Sequence, residues 1–431
     1  MEPSVELTLR IGCLLAVIAA CNVAAIKLRL PDALTLTAAG LALGTGLLIT
    51  STVAPTFTAQ TIQPFLSPSL RPEGYLWIFL PPILFQAALE ADAGAMARDL
   101  LPILVLAIGA VFAATLLVGV TAHAISGANL AVCLLVGAIV STTDPSAVID
   151  LFRSSGVPAR MVRLVEGESL LNDAAAITLA SHLMARIVGQ PAHAMTGSVL
   201  GDLFGSLFAG GLLGALAGAL LARACRAIPA APLSRFTLSL ALPNLLYPIA
   251  DLWLHVSGVV TVVSAGLTAG TLLRRSSTPE EHAIFRHLWR SMGGMAGGMV
   301  FLLAAMNVPD LLRGLRGSDL WLILGVLVAA LFSRWAVLGS SLPLLSRLGM
   351  CAPLPRAHRL AITWGGVRGP VTLVLALCAA QATSLPPEAR HLASVVAVGF
   401  VLVNLTCNGL TLRPLVRRLG IGGDVNAGNH A

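Results

Sequence analysis

Polar side chains that can bind a proton or a cation cluster in residues 164–187, a stretch that is otherwise apolar. They are Glu166, Glu168, Ser169, Asn172 and Asp173. The stretch has the length of a membrane-spanning helix, and a carboxylate at that depth is costly unless it is paired, protonated or bound to a cation. We therefore predict a functional site here. A solvated loop that precedes a shorter helix is the alternative interpretation.

Helical spacing divides these side chains into two groups. Ser169 and Asp173 are four residues apart and share one face of the predicted helix. Glu168 and Asn172 form a neighbouring pair, and at about 100° per residue Glu168 points roughly 140° away from Asp173. The two carboxylates are therefore expected to perform different tasks. One could hold a cation while a fixed positive charge neutralises the other.

The composition of the whole chain fits this interpretation. Of its 431 residues, 56% are hydrophobic and only 11% are charged. Apolar segments of membrane-spanning length alternate with short Arg-rich loops, which predicts an all-α polytopic membrane protein with about thirteen helices. The seven cysteines contain no CxxC pair, so the sequence favours neither a disulfide framework nor a resident metal or other cofactor.

The positive charges follow membrane topology. The formal net charge is +7, but the Arg residues are spread over loops and form no patch with interleaved aromatic side chains, which argues against nucleic acid as a partner. Most Lys and Arg residues fall in loops that face the cytoplasm if the N-terminus lies outside. We therefore predict an external N-terminus and a cytoplasmic C-terminus, in the inner membrane if the host is a bacterium.

The fifth apolar segment is interrupted by Thr143, Asp144 and Pro145. Proline disfavours the helical conformation at the residue before it, so we predict a helix that breaks at this point. The carbonyl groups that such a break frees, together with the Asp144 carboxylate, suit a small hard cation. Only a short loop separates this segment from the next, so Asp144 and Asp173 can meet at a similar depth.

The twelfth apolar segment repeats this pattern, with Gly365, Gly366 and Pro370 around Arg368. Two interrupted helices, one in each half of the chain and with opposite charges, are typical of a secondary transporter with inverted repeats. Arg368 could instead be an interfacial residue whose side chain reaches the membrane surface.

The apolar segments predict one transmembrane domain over residues 1–413. Within it we expect inverted repeats at about 9–187 and 236–412, which a helix at 199–222 connects. Residues 414–431 are predicted to form a short cytoplasmic tail, because this segment is too short to fold alone.

Four further polar residues lie within or at the ends of apolar segments. Arg334 is isolated among apolar residues and needs a partner, for which Glu168 is our candidate. Gln86 follows a pair of prolines in the third segment, and Glu90 is one turn away from it. Asp251 in the eighth segment could serve transport, or it could be solvated or locally bonded.

Six motifs in this chain resemble those of the electroneutral sodium/proton exchanger family, whose members are monovalent cation:proton antiporters. These motifs are LPPILFQAAL (80–89), TTDPSAVIDLF (142–152), GVPARMVRLVEGESLLNDAAAI (156–177), HVSGVV (255–260), Arg334 in its apolar context, and WGGVRGPVTL (364–373). They occur in family order over nearly the whole chain, and the combination of TDP, GESLLND and GGVRG is highly specific.

The resemblance implies a function for each residue of the cluster. Asp173 would carry the cation and the proton, supported by Asp144, Ser169 and the backbone carbonyl of Thr143. Asn172 would mark the electroneutral branch, because related electrogenic antiporters have a second Asp there. Proton and Na⁺ would compete for Asp173, since either ligand neutralises the carboxylate and eases its passage through an apolar barrier.

The resemblance also implies the assembly. It predicts a homodimer with thirteen helices per chain, in which a core domain moves against a dimerisation domain. Glu168 and Arg334 would form a structural ion pair. The chain departs from its relatives at Gln86, where many have Glu, so Gln86 or the nearby Glu90 is a candidate additional member of the site.

Three alternatives follow from the same residues. The transported cation could be Li⁺ or K⁺ instead of Na⁺, because selectivity depends on small differences in site dimensions. A cation channel would share the acids but would need a continuous polar pore. An intramembrane enzyme using Ser169 and His182 is disfavoured, because thirteen helical positions separate the two side chains by roughly 20 Å.

Overall fold

The computed structural model describes residues 3–28, 30–58, 72–144, 146–189, 199–228, 232–275 and 278–421. Within these ranges the chain forms helices joined by short loops and contains no strand. Seven of the described helices are long and apolar enough to cross a membrane. The prediction of an all-α membrane protein is therefore confirmed. The number of thirteen membrane-crossing helices stays a prediction.

The helices of the first half include the one that carries the polar cluster, α8. In chain order they are α1 (Pro3–Leu28), α2 (Asp32–Val53), α3 (Pro72–Glu90), α4 (Ala93–Arg98), α5 (Leu100–Ser126), α6 (Leu130–Ser141), α7 (Ser146–Ser154) and α8 (Ala159–Val188). A π-helical turn at Val105–Gly109 interrupts α5. The α3 helix continues through its two prolines, Pro81 and Pro82.

The second half of the chain also consists of helices joined by short loops in its described part. They are α9 (Val199–Ala227), α10 (Pro232–Pro248), α11 (Gly258–Arg274), α12 (Pro279–Leu311), α13 (Gly317–Arg347), α14 (Arg356–Trp364), α15 (Pro370–Gln381) and α16 (Pro387–Arg418). The last helix extends past the predicted domain boundary at residue 413. Arg417 and Arg418 lie in its final turn, where positive charge interacts favourably with the helix C-terminus.

Capping interactions fix where several of these helices begin. The side chain of Asn129 accepts a hydrogen bond from the Ala131 amide, and α6 begins at the next residue. Just before it, Gly127 adopts a left-handed conformation with φ of 68° and ends α5. The side chains of Ser257 and Thr278 cap α11 and α12 in the same way as Asn129. Side-chain oxygens thus satisfy the free amides at these helix ends.

Apolar side chains also face outward. Along α9, Phe208, Leu212, Leu216 and Leu220 recur every fourth residue, and each is more than half exposed. In water such a stripe would be unfavourable, but lipid chains solvate it as well as a protein core would. The stripe agrees with a location in the bilayer.

Both predicted helix breaks are present. The first lies between the end of α6 at Ser141 and the start of α7 at Ser146. The second lies between the end of α14 at Trp364 and the start of α15 at Pro370. Pro145, which predicted the first break, lies outside the described residues.

Candidate functional site

The two helix breaks contact each other directly. The Asp144 amide donates a hydrogen bond to the Val367 carbonyl oxygen at 2.9 Å. The hydroxyl oxygens of Thr142 and Thr372 lie 2.5 Å apart. Non-helical backbone inside a membrane protein needs polar partners, because lipid offers none. Each break therefore provides hydrogen-bond partners for the other.

Arg368 stabilises the end of α6. Its Nη1 donates hydrogen bonds to the carbonyl oxygens of Ser141 at 3.0 Å and Thr142 at 2.6 Å, while its backbone amide donates to Asn404 Oδ1 at 3.0 Å. Its guanidinium carbon also lies 5.3 Å from the centre of the Phe400 ring. The residue is only 4% exposed, so the alternative of an interfacial side chain is wrong. The positive charge complements carbonyl groups that lack helical partners.

Two side chains of α8 bind the first break. Ser169 Oγ donates a hydrogen bond to the Thr143 carbonyl oxygen at 2.9 Å. Asn172 Nδ2 donates to Thr143 Oγ1 at 2.5 Å. The structure thus brings together three residues that the sequence analysis proposed as one site. Because the Ser169 hydroxyl is engaged with a backbone oxygen, it is also poorly placed to act as a nucleophile.

Asp173 lies one helical turn after Ser169, on the same face of α8. It is buried, with 9% of its surface exposed, and its Oδ1 has no hydrogen-bond partner among the described residues. Asp144 and Arg368 are close enough to act on it electrostatically. A buried carboxylate with an open oxygen beside a second carboxylate can accept a proton or ligate a cation through oxygen atoms.

Glu168 and Arg334 form the buried ion pair that the sequence analysis expected. Arg334 Nη2 lies 2.9 Å from Glu168 Oε2, and Nη1 contacts Oε1. Arg334 Nε donates a further hydrogen bond to the Ile362 carbonyl oxygen at 3.2 Å. Glu168 is 2% exposed and Arg334 is 8% exposed. The pair therefore connects α8, α13 and α14 through a bidentate contact.

Comparison with known proteins identifies the family. The sequence model described as "Sodium/hydrogen exchanger, transmembrane" matches residues 13–418. The chain belongs to the sodium/hydrogen exchanger family. Its fold is similar to that of the sodium proton antiporter MjNhaP1 of Methanocaldococcus jannaschii, with a TM-score of 0.75 and 19% identity over 96% of this chain and 99% of that chain.

Curated relatives in the exchanger family are similar in sequence. The Na⁺/H⁺ antiporter ApNhaP of Aphanothece halophytica is 31% identical over 83% of this chain and 66% of its own length. The Na⁺/H⁺ antiporter NhaH of Halobacillus dabanensis is 28% identical over 80% of this chain and 82% of its own length. The chain thus spans slightly less than two thirds of ApNhaP and more of NhaH.

Two glycines of the second break allow neighbouring side chains to come close. A Cβ atom on Gly366 would lie 2.9 Å from Arg334 Nε. A Cβ atom on Gly369 would overlap with the Asp144 side chain. Gly365 is also restricted, because its Cβ would lie 3.0 Å from the Ala361 carbonyl oxygen. The glycines in this motif thus provide space for the ion pair and for Asp144.

We expect Gly369→Ala to destabilise the protein by about 1–3 kcal/mol, the usual cost of an overpacked site, and to slow exchange by displacing Asp144. The matched control is Gly339→Ala in α13, where no described atom outside the local helix backbone lies within 4 Å of the added Cβ. Thermal melting in detergent and exchange in proteoliposomes measure both effects. Equal melting temperatures for the two variants would contradict this reading of Gly369.

The candidate additional members of the site have other partners. Gln86 Nε2 donates to Glu90 Oε1 at 2.8 Å, and Arg290 Nη2 donates to Glu90 Oε2 at 2.7 Å. Asp251 lies in a π-helical turn after α10, where His255 is close enough to act on it electrostatically. In the described part of the chain, no hydrogen bond joins these residues to Asp173.

Sequence reasoning did not single out three polar residues that hold the second break. Thr372 contacts Thr142, and Asn404 accepts the hydrogen bond from the Arg368 amide. Asn408 Nδ2 donates a hydrogen bond at 2.9 Å to the carbonyl oxygen of Trp364, which is the last residue of α14. A signal was available, because two Asn residues four apart in the largely apolar segment 392–412 indicate a shared polar face.

Proposed function

We propose that this chain exchanges Na⁺ for H⁺ across a membrane, one ion for one proton, with Asp173 as the shared binding group. The observation that carries the proposal is the buried Asp173 carboxylate with its open Oδ1, next to the contact between the two helix breaks. The printed names of ApNhaP and NhaH, both Na⁺/H⁺ antiporters, support the same assignment.

The charges around the site account for the coupling. Arg334 neutralises Glu168. Arg368, which acts electrostatically on Asp173, would also offset the negative charge of Asp144. Asp173 then carries the remaining negative charge, which either Na⁺ or H⁺ neutralises. The two loaded states have equal net charge, whereas the unloaded state retains a bare carboxylate that is costly to move through an apolar region. One-for-one exchange without net charge movement follows.

Oxygen donors around Asp173 suit a small hard cation. The Asp144 and Asp173 carboxylates, the Ser169 hydroxyl and the Thr143 carbonyl would ligate Na⁺, with Asn172 orienting Thr143 through its side chain. Ser169 Oγ would offer a lone pair to the cation while its own proton stays in the hydrogen bond to the Thr143 carbonyl oxygen. No residue of the site is assigned a catalytic task, since the exchanged Na⁺ and H⁺ leave the protein chemically unchanged.

We infer that access alternates through a movement between two parts of the fold. The helices around the two breaks, with the buried Glu168 to Arg334 pair, would move as one core against a dimerisation domain in a homodimer. The N-terminus would lie outside and the C-terminus in the cytoplasm, in agreement with the distribution of Lys and Arg residues. In a bacterial cell the location would be the inner membrane.

A transport assay with purified protein tests this proposal. In proteoliposomes with an imposed pH gradient, we expect added Na⁺ to dissipate the gradient at a rate that does not change when the membrane voltage is clamped at different values. Li⁺ and K⁺ are tested separately. Voltage-dependent exchange would contradict the one-for-one ratio. Activity with K⁺ alone would assign a K⁺/H⁺ antiporter, and flux far above carrier rates would assign a channel.

A further inference from the structure

A small cavity with a mixed polar and apolar lining lies beside the proposed cation site, between α5, α8, α13 and the second helix break. Its polar lining consists of Ser141, Glu168, Asn172, Ser333, Arg334 and Arg368. The cavity leaves about 10 Å³ for the centre of a water-sized sphere. That is the volume that one buried water requires.

Two buried atoms of the lining residues lack hydrogen-bond partners in the described structure. They are Asn172 Oδ1, which is an acceptor, and Arg368 Nε, which is a donor. Asn172 is 2% exposed and Arg368 is 4% exposed, so bulk water does not reach either side chain. A buried polar group without a partner is destabilising, and ordered water normally satisfies such groups.

The charges and the size of the cavity decide which ligand it can hold. Two guanidinium groups, those of Arg334 and Arg368, face one carboxylate, and that carboxylate of Glu168 is already engaged by Arg334. Among the lining residues one guanidinium charge is therefore unbalanced, which disfavours a cation inside the cavity itself. A chloride ion is larger than the single water that the volume admits. A neutral molecule that donates and accepts hydrogen bonds therefore fits best.

We propose that this cavity is a binding site for one ordered water, which accepts a hydrogen bond from Arg368 Nε and donates one to Asn172 Oδ1. The water connects α8 to the second helix break. Because Arg368 also binds the carbonyl oxygens of Ser141 and Thr142, the bridge holds the backbone of the first break in place relative to the helix that carries Asp173.

The first test is direct and independent of transport. A cryo-electron microscopy map of the wild-type full chain, at a resolution that shows other ordered waters, is expected to contain density within hydrogen-bond distance of both Asn172 Oδ1 and Arg368 Nε. A map that shows other buried waters but no density between these two atoms would overturn the proposal.

The second test fills the cavity from α13. Ala330 lines the cavity and is 2% exposed, whereas its neighbour Ala329 does not line it and is 6% exposed. We expect Ala330→Val to displace the water and to weaken the apparent affinity for Na⁺ roughly three- to tenfold, the effect of one lost hydrogen bond. Ala329→Val, the matched control, keeps both the density and the affinity.

The two tests separate the possible failures. The affinity measurement rests on the proposed Na⁺/H⁺ exchange, whereas the density does not. Water density in a wild-type protein that does not transport would support the water site while the proposed function fails. Density and Na⁺ affinity that survive in Ala330→Val, or an equal loss of affinity in Ala329→Val, would refute the link between this water and the cation site.

Discussion

Asp173→Asn is expected to abolish cation-driven proton exchange. The amide matches the carboxylate in shape but carries no negative charge, so it neither takes up a proton near neutral pH nor balances a bound Na⁺. The expected rate in proteoliposomes is that of liposomes without protein. The fold should persist, because removing the charge of a buried group with an open oxygen relieves part of its desolvation cost.

Asp251→Asn is the matched control for this variant. It makes the same chemical change in the turn that follows α10, where the side chain is exposed and His255 lies nearby. We expect Asp251→Asn to retain exchange with Na⁺. Both proteins are first checked for monodispersity and thermal melting. Exchange by a well-folded Asp173→Asn protein would contradict the central assignment, as would equal loss of activity in the two variants.

Local chemistry explains why much of the site could be predicted from the sequence. Pro145 restricts the residue before it, so the break after α6 follows from two adjacent residues. Helical spacing separated Glu168 from Asp173, and an isolated Arg334 in an apolar segment requires an acidic partner. For Arg334, the free energy of leaving a charged group unsatisfied in an apolar environment is large enough to override other preferences.

The contacts between the two halves could not be predicted in the same way. Arg368 binds the Thr142 carbonyl oxygen from 226 positions away in the sequence, and nothing near either residue specifies that contact. The glycines around Arg368 predicted a break but not its partner. Gln86 shows the converse limit. Its place after two prolines suggested a ligand, yet its amide is bound to Glu90 on the same helix.

We expect a large loss of stability when only one partner of the ion pair between Glu168 and Arg334 is removed. Glu168→Gln leaves the Arg334 guanidinium buried without a counter-charge, which should destabilise the protein by about 3–5 kcal/mol. Thermal melting in detergent would show a large fall in melting temperature. The matched control is Glu166→Gln, whose partner Arg153 has a side chain that is 50% exposed, and there we expect a loss of no more than about 1 kcal/mol.

A double variant separates a structural pair from a loss of packing. In Glu168→Leu with Arg334→Met, both charges are absent, and apolar side chains of similar length fill the space between α8 and α13. Replacing a buried ion pair in this way is often neutral or stabilising, because the desolvation cost of both charges disappears. We therefore expect the double variant to melt well above Glu168→Gln.

If the double variant melted as low as the single one, the stability would come from specific packing of these side chains, and the pair would not serve to neutralise charge. Recovery of stability together with retained Na⁺ exchange would mean that the core needs balanced charge at this position, whereas recovery of stability without exchange would mean that transport itself requires the ion pair.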